Sequence, residues 1–333
     1  MKPNFHKGIV LDASKEGWDS GAATFGTVIY NQDERKYYLF YTGSSDARWT
    51  EASIGLAISE DGLNFRKNDL NPIVNSKDFG LKEALTPVVF RIKNNYFMVF
   101  AGRTPRGGRK IYMAYSDDLV GPWRFIRQLI NPQYPWEGND IDLGPSAVRL
   151  SENEVLIYYS NVSNKLLWNL LFGPRYWFRT LGIFKLKINS PTDIEVYRFN
   201  GNPLKHLNGP KGSWNESLFC PGYFRVESSH YLLPAASTYS IGFPYKQYIG
   251  LVKDLSPYFL NPTRIGILID GPREKEKIIP GIKSEIALDT PCPIIKKMGS
   301  FGFITVLWIE QMECGKLPFQ YSPLNIYFNN SSK

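Results

Sequence analysis

The sequence predicts an all-β chain of five large modules arranged radially or as a barrel, and three observations carry that reading. An opening that joins an aromatic residue, an acid and a Pro or Gly recurs along the chain: GWDSGAATFGTVIY, DFGLKEALTPVVF, PWEGNDIDLGPSAVRL, SWNESLFCPGYFRV and KSEIALDTPCPIIKK. Taking Gly26, Pro87, Pro145, Pro221 and Pro291 as equivalent gives intervals of 61, 58, 76 and 70 residues, a period that divides the chain into five repeats. Each opening leads into short aromatic or β-branched segments separated by turn residues, the pattern of a meandering sheet. No module of this kind buries both faces of its sheet alone, so the modules must pack on one another.

The segments follow in order. TVIYN, YYLFYTG, SIGLAIS and LNFRK form the first module, and PVVFRI, NYFMVFAG, RKIYMAYS and WRFIRQ the second. SAVRL, VLIYYSN, LGIFKLKI and IEVYRF make the third; GYFRV, HYLLPAAST, YIGLVK and IGILID make the fourth. PIIKK, FGFITVLWIE and PLNIYF leave the fifth one strand short. The N-terminal GIVLD is the expected closing strand, because closure removes two sheet edges that otherwise invite aggregation. NVSNKLLWNLLFGPRYWF interrupts the third module with leucines at helical spacing, as a short helix, a hydrophobic lip or an interface. Asp61–Gly62 and Asp117–Asp118 sit where hairpin turns are needed, so their acids are read as turn formers. No linker divides the chain, and residues 1–333 are expected to form one domain.

Composition narrows the function classes. The net charge of +8, from 39 basic and 31 acidic residues, suits an anionic glycan or a phosphorylated substrate, or simply solubility. The basic residues are scattered rather than gathered into a stripe, which argues against nucleic acid. Three cysteines and three separated histidines, His6, His206 and His230, give neither a disulfide framework nor a metal cluster. A calcium or sodium site built from carbonyls and water leaves no signature in a sequence. The N-terminus lacks a signal peptide's apolar run and no segment reaches transmembrane length, so cytoplasm is the default, with secretion the alternative if a leader is missing.

Together WDSGAATFGTVIY, YYLFYTGS, IGLAISEDGLNF, EALTPVVF, MAYSDDLVGPW and ESLFCPGYF resemble the five-bladed β-propeller glycoside hydrolases. That group holds arabinanases, β-xylosidases, invertase-like enzymes and mannoside phosphorylases, and the likeness covers most of the chain. It implies a single five-bladed β-propeller that cleaves glycosidic bonds in an oligosaccharide or glycan, with water as acceptor and no organic cofactor. Two departures stand out. Blade one lacks the group's Asp-Pro opening, and Ser-Leu-Phe separates Glu216 from Cys220 where the invertase-like enzymes have Glu-Cys-Pro.

In such a ring the inner-strand openings surround one centre, which gives weight to Asp19, Glu83, Asp140, Asp142, Glu216, Glu285 and Asp289. Glycosidic cleavage needs one carboxyl group that donates a proton and another that activates water or attacks the sugar. A third acid orients the sugar or tunes the donor through like-charge repulsion. The resemblance implies Asp19 as base, Asp142 as the orienting or tuning acid and Glu216 as proton donor. Glu83 is the competing donor or a substrate ligand, and Asp140, Glu285 and Asp289 are further substrate contacts.

Trp18, Trp136 and Trp214 precede their modules by 8, 9 and 7 residues, where they either stack on sugar faces or wedge blades together. Trp49 lies in a polar loop and is expected at the rim. Arg48, Arg103, Arg106 and Arg109 come from two loops whose guanidinium groups suit sugar hydroxyls, a uronate or inorganic phosphate, or else form a solvated basic surface. Two alternatives to hydrolysis follow: phosphorolysis by inorganic phosphate, and a glycan-binding propeller that has lost its acid pair.

Overall fold

The structure is a computed structural model that describes residues 4–5, 11–46, 50–162, 179–210, 212–238, 247–270, 286–298, 301–312 and 321–328. Its last strands are described mainly by their backbone. The leucine-rich insertion of the third module, the Gly8–Val10 part of GIVLD, and Arg48, Trp49 and Glu285 lie outside the described residues.

The chain is all-β with a propeller arrangement, built from antiparallel four-stranded meanders. After β1 (Asn4–Phe5), the first meander comprises β2 (Ala22–Asn31), β3 (Lys36–Ser44), β4 (Ser53–Ser59) and β5 (Arg66–Lys67). The second comprises β6 (Glu83–Ile92), β7 (Asn95–Arg103), β8 (Lys110–Ser116) and β9 (Arg124–Ile130). The third runs β10 (Ile141–Arg149), β11 (Glu154–Asn161), β12 (Leu181–Ser190) and β13 (Asp193–Arg198). The fourth runs β14 (Ser217–Val226), β15 (Ser229–Ser237), β16 (Gln247–Asp254) and β17 (Thr263–Asp270). Beyond it β18 (Ile286–Met298), β19 (Phe301–Met312) and β20 (Tyr321–Phe328) pair in sequence, and Asn4 and Phe5 pair with Asn325 and Leu324 of β20.

The first strands of the meanders face one another at the centre: β2 meets β6, β6 meets β10, and β10 meets β14. The core lies between neighbouring sheets. Phe40, Ile54 and Leu56 of the first pack on Val89, Met98 and Phe100 of the second, while Val99 and Met113 pack on Ile141 and Ile157 of the third. Because neighbours cover both faces, β3 and β11 are buried along nearly their whole length and read as unbroken apolar runs. The outermost β9 is mostly exposed and carries Arg124, Arg127 and Gln128.

The inner strands begin earlier than the sequence pattern suggests. β6 starts at Glu83 rather than Pro87, β10 at Ile141 and β14 at Ser217, so each signature proline lies inside its strand. Every inner strand changes register there, at Thr24/Thr27, Leu85/Val88, Leu143/Ala147, Phe219/Gly222 and Asp289/Cys292. A bulge leaves one residue outside the ladder, so proline's missing N–H costs no pairing at that point. The bends bring the strands into close contact. A Cβ on Gly144 would collide with the Pro221 carbonyl, and one on Gly222 with that of Pro291.

Candidate active site at the inner-strand openings

Glu83 opens β6, and its strand partner is Arg103 at the end of β7. The Arg103 Nε stands 2.9 Å from Glu83 Oε1 without aiming its N–H at that oxygen, so the pair is an ion contact rather than an aligned hydrogen bond. Arg109, just before β8, donates from Nε to Glu83 Oε2 at 3.1 Å and from Nη1 to Asp142 Oδ2 at 3.1 Å. Its backbone N–H reaches Asp140 Oδ1 at 2.6 Å, and Arg103 Nη2 lies 3.3 Å from the same oxygen. Asp142 Oδ1 accepts from Thr86 Oγ1 at 2.6 Å and from the Leu143 amide at 2.9 Å.

Five residues expected from the sequence therefore converge: Glu83, Asp140 and Asp142 with Arg103 and Arg109. Glu83 and Asp142 are buried, whereas Arg103 keeps a third of its side chain exposed. Burial works against the charge of Arg109, but the carboxylates of Asp142 and Glu83 outweigh it and raise the guanidinium above its ordinary value. Arg109 thus stays cationic and holds two acids from neighbouring sheets in fixed directions.

Glu216 immediately precedes β14, the next inner strand round the centre, and is buried. Its Oε2 accepts the Gly212 amide at 2.7 Å. Asp289 lies in β18 as the last paired residue before that strand's bulge, with its side chain outside the described residues.

Asp19 has a different setting. Its Oδ2 accepts from Tyr41 Oη at 2.8 Å and from Lys67 Nζ at 2.6 Å, so it ties the entry loop to the second and fourth strands of its own sheet. Trp18 beside it lies over Gly43 and Gly55. The third sheet repeats the device with a residue the sequence reading missed. Glu137 is fully buried; Tyr159 donates to its Oε1 at 2.6 Å, Arg198 of β13 pairs with the same oxygen, and Trp136 covers Gly182. In the fourth sheet Trp214 covers Gly250, and Asn215 donates to the Leu207 carbonyl at 2.8 Å. Each of these tryptophans fills the space that a glycine leaves on its own sheet. A Trp–acid step, Trp18–Asp19 and Trp136–Glu137, marks both of these settings in the sequence.

Among the described residues no group of His, Cys, Asp and Glu is arranged to hold a metal ion, and no helix is long and apolar enough to cross a membrane.

No family model matches the chain. Over 145 residues it is 32% identical to a β-1,2-mannobiose phosphorylase from Thermoanaerobacter sp. (strain X514), covering 38% of this chain and 45% of that protein. The chain thus spans less than half the length of this curated relative. Among solved structures, an endo-arabinase from Bacteroides thetaiotaomicron VPI-5482 matches with a TM-score of 0.55 at 11% identity, over 98% of this chain and 99% of that one. An N-acetylgalactosamine deacetylase from F. plautii, in complex with blood group B trisaccharide, matches with a TM-score of 0.66 at 11% identity, over 98% and 96%. An endo-arabinase and a deacetylase on one fold show that the fold alone does not choose the reaction. The chain shares its propeller fold with glycoside hydrolases, the likeness read from its repeated openings.

Proposed function

We propose that the protein is a glycoside hydrolase acting on an oligosaccharide or glycan through carboxylates at the inner-strand openings. The observation that carries this reading is the junction of Glu83 and Asp142 on Arg109, which holds acids from two neighbouring inner strands in one cluster. Carboxylates facing a guanidinium suit work as anions, stabilising positive charge on the sugar or aligning water. Proton donation falls to Glu216 on the following inner strand. Asp19, bound to Lys67 and Tyr41, serves the scaffold in this account. The fold proposal is a single five-bladed ring, supported by the pairing of Asn4 and Phe5 with β20 and by the approach of β18 to both β14 and β2.

The mannobiose phosphorylase relative favours a second reading, in which inorganic phosphate replaces water as the attacking group. That route needs only one proton-donating acid, because phosphate is itself the nucleophile. Product release from an oligosaccharide panel, with and without inorganic phosphate, separates the two. Phosphate-independent products that disappear in Glu216→Gln support hydrolysis with Glu216 as donor. Release only with phosphate replaces hydrolysis by phosphorolysis. Saturable glycan binding without products under either condition overturns both and leaves a binding protein.

A further inference from the structure

Four inner strands carry a residue directly before the proline at the bulge: Thr86–Pro87, Gly144–Pro145, Cys220–Pro221 and Thr290–Pro291. Thr86 has φ 49° and Cys220 φ 40°, in the left-handed region that glycine adopts most readily. A β-branched residue there is strained, and such strain persists where the surroundings hold it for a purpose. The backbone bend does not explain the choice of threonine, so the explanation must lie in the side chain.

The Thr86 hydroxyl has one proton and two acceptors in reach, the Leu85 carbonyl at 2.8 Å and Asp142 Oδ1 at 2.6 Å. The shorter, charge-assisted bond to the carboxylate is the stronger. The Thr86 amide donates to Thr42 Oγ1 at 3.0 Å, so the residue is anchored to β3 while it reaches across to β10. All three residues are buried. Asp142 is then gripped on both oxygens, by Thr86 on one and Arg109 on the other.

We propose that Thr86 is a positioning residue that fixes the direction of the Asp142 carboxylate for the reaction. The proposal rests on the glycosidic reading of the site. Thr86→Ser and Thr86→Ala both relieve the β-branch, and they differ from one another only in the hydroxyl. The serine variant is expected to keep turnover within about threefold of the wild type, while the alanine variant loses about tenfold to a hundredfold in kcat with KM nearly unchanged. Both should melt at similar temperatures. A crystal structure of each variant supplies a reading independent of activity: Asp142 should keep its contact with Arg109 in the serine protein and turn away from it in the alanine protein. Equal kcat in the two variants, or an unmoved Asp142 in the alanine protein, overturns the proposal. If the wild type cleaves no glycan, the glycosidic reading fails by itself, and the crystallographic comparison still decides whether Thr86 orients Asp142.

Discussion

Arg109 is the residue on which the candidate site depends most. One guanidinium joins Glu83 to Asp142, and its own amide holds Asp140. The sequence marked Arg103 and Arg109 as groups for sugar hydroxyls, a uronate or phosphate, and their pairing with Glu83, Asp140 and Asp142 was not read from it. The division of labour among the acids was not legible, since Asp19 and Asp142 are the same residue type at the openings of their modules, and only the structure puts Asp142 inside β10 and Asp19 in the loop before β2. Only the adjoining tryptophan and the partners on the sheet distinguish a latch from a central acid. His230 offers a separate test at this scale. It shares a 2.7 Å hydrogen bond with Tyr223, and burial lowers its pKa, helped by Arg225 and opposed by Asp254. A histidine depressed in the folded state binds fewer protons there than in the unfolded chain, so stability rises with pH in that interval. Its contribution is fully present above the unfolded value of about 6.5 and fades as pH falls below it. Thermal melts from pH 8 to pH 5 should therefore drop less steeply in His230→Gln than in the wild type. Parallel curves would remove His230 from the account.

At the scale of elements, strand existence followed from aromatic and β-branched runs, yet the inner strands began four or so residues earlier than the prolines suggested. Proline reads as a boundary in a sequence, and a bulge lets it sit inside the ladder. That shift moves Glu83 and Asp142 from entry loops into the strands themselves, where the backbone fixes their direction. The latch in the third sheet is the element-level counterpart in stability. Glu137 has no exposed surface and relies on Arg198 and Tyr159. Arg198→Met should leave a buried carboxylate without its cation, a loss at the lower end of about 3–5 kcal/mol because the arginine is partly exposed. Chemical denaturation of this variant beside Lys67→Met compares the two latches, and an unchanged midpoint for both would show that they do not hold the blades.

For the whole molecule, the all-β propeller arrangement followed from the repeated openings, while five blades and N-terminal closure stay part of the proposal. The sequence assigned closure to GIVLD, whereas the described pairing uses Asn4 and Phe5. Leu11, from the same stretch as GIVLD, is buried against Ala23, Leu39 and Tyr41 of the first sheet. Deleting residues 1–6 removes the pairing strand and leaves Leu11 in place. If the ring is closed as proposed, this truncation lowers the melting temperature and exposes the edge of β20 to association; an unchanged melt and a monodisperse sample would argue against closure. The central claim is that cleavage belongs to the acids gathered on Arg109 and not to the latch. The direct measurement is the initial rate of glycan cleavage in Asp142→Asn beside Asp19→Asn, each normalised to folded protein. The account predicts a loss of about a hundredfold or more in Asp142→Asn with the melting temperature kept. It predicts a near-normal rate in Asp19→Asn with a lowered melting temperature. Abolished cleavage in a fully stable Asp19→Asn, with Asp142→Asn still active, would contradict it.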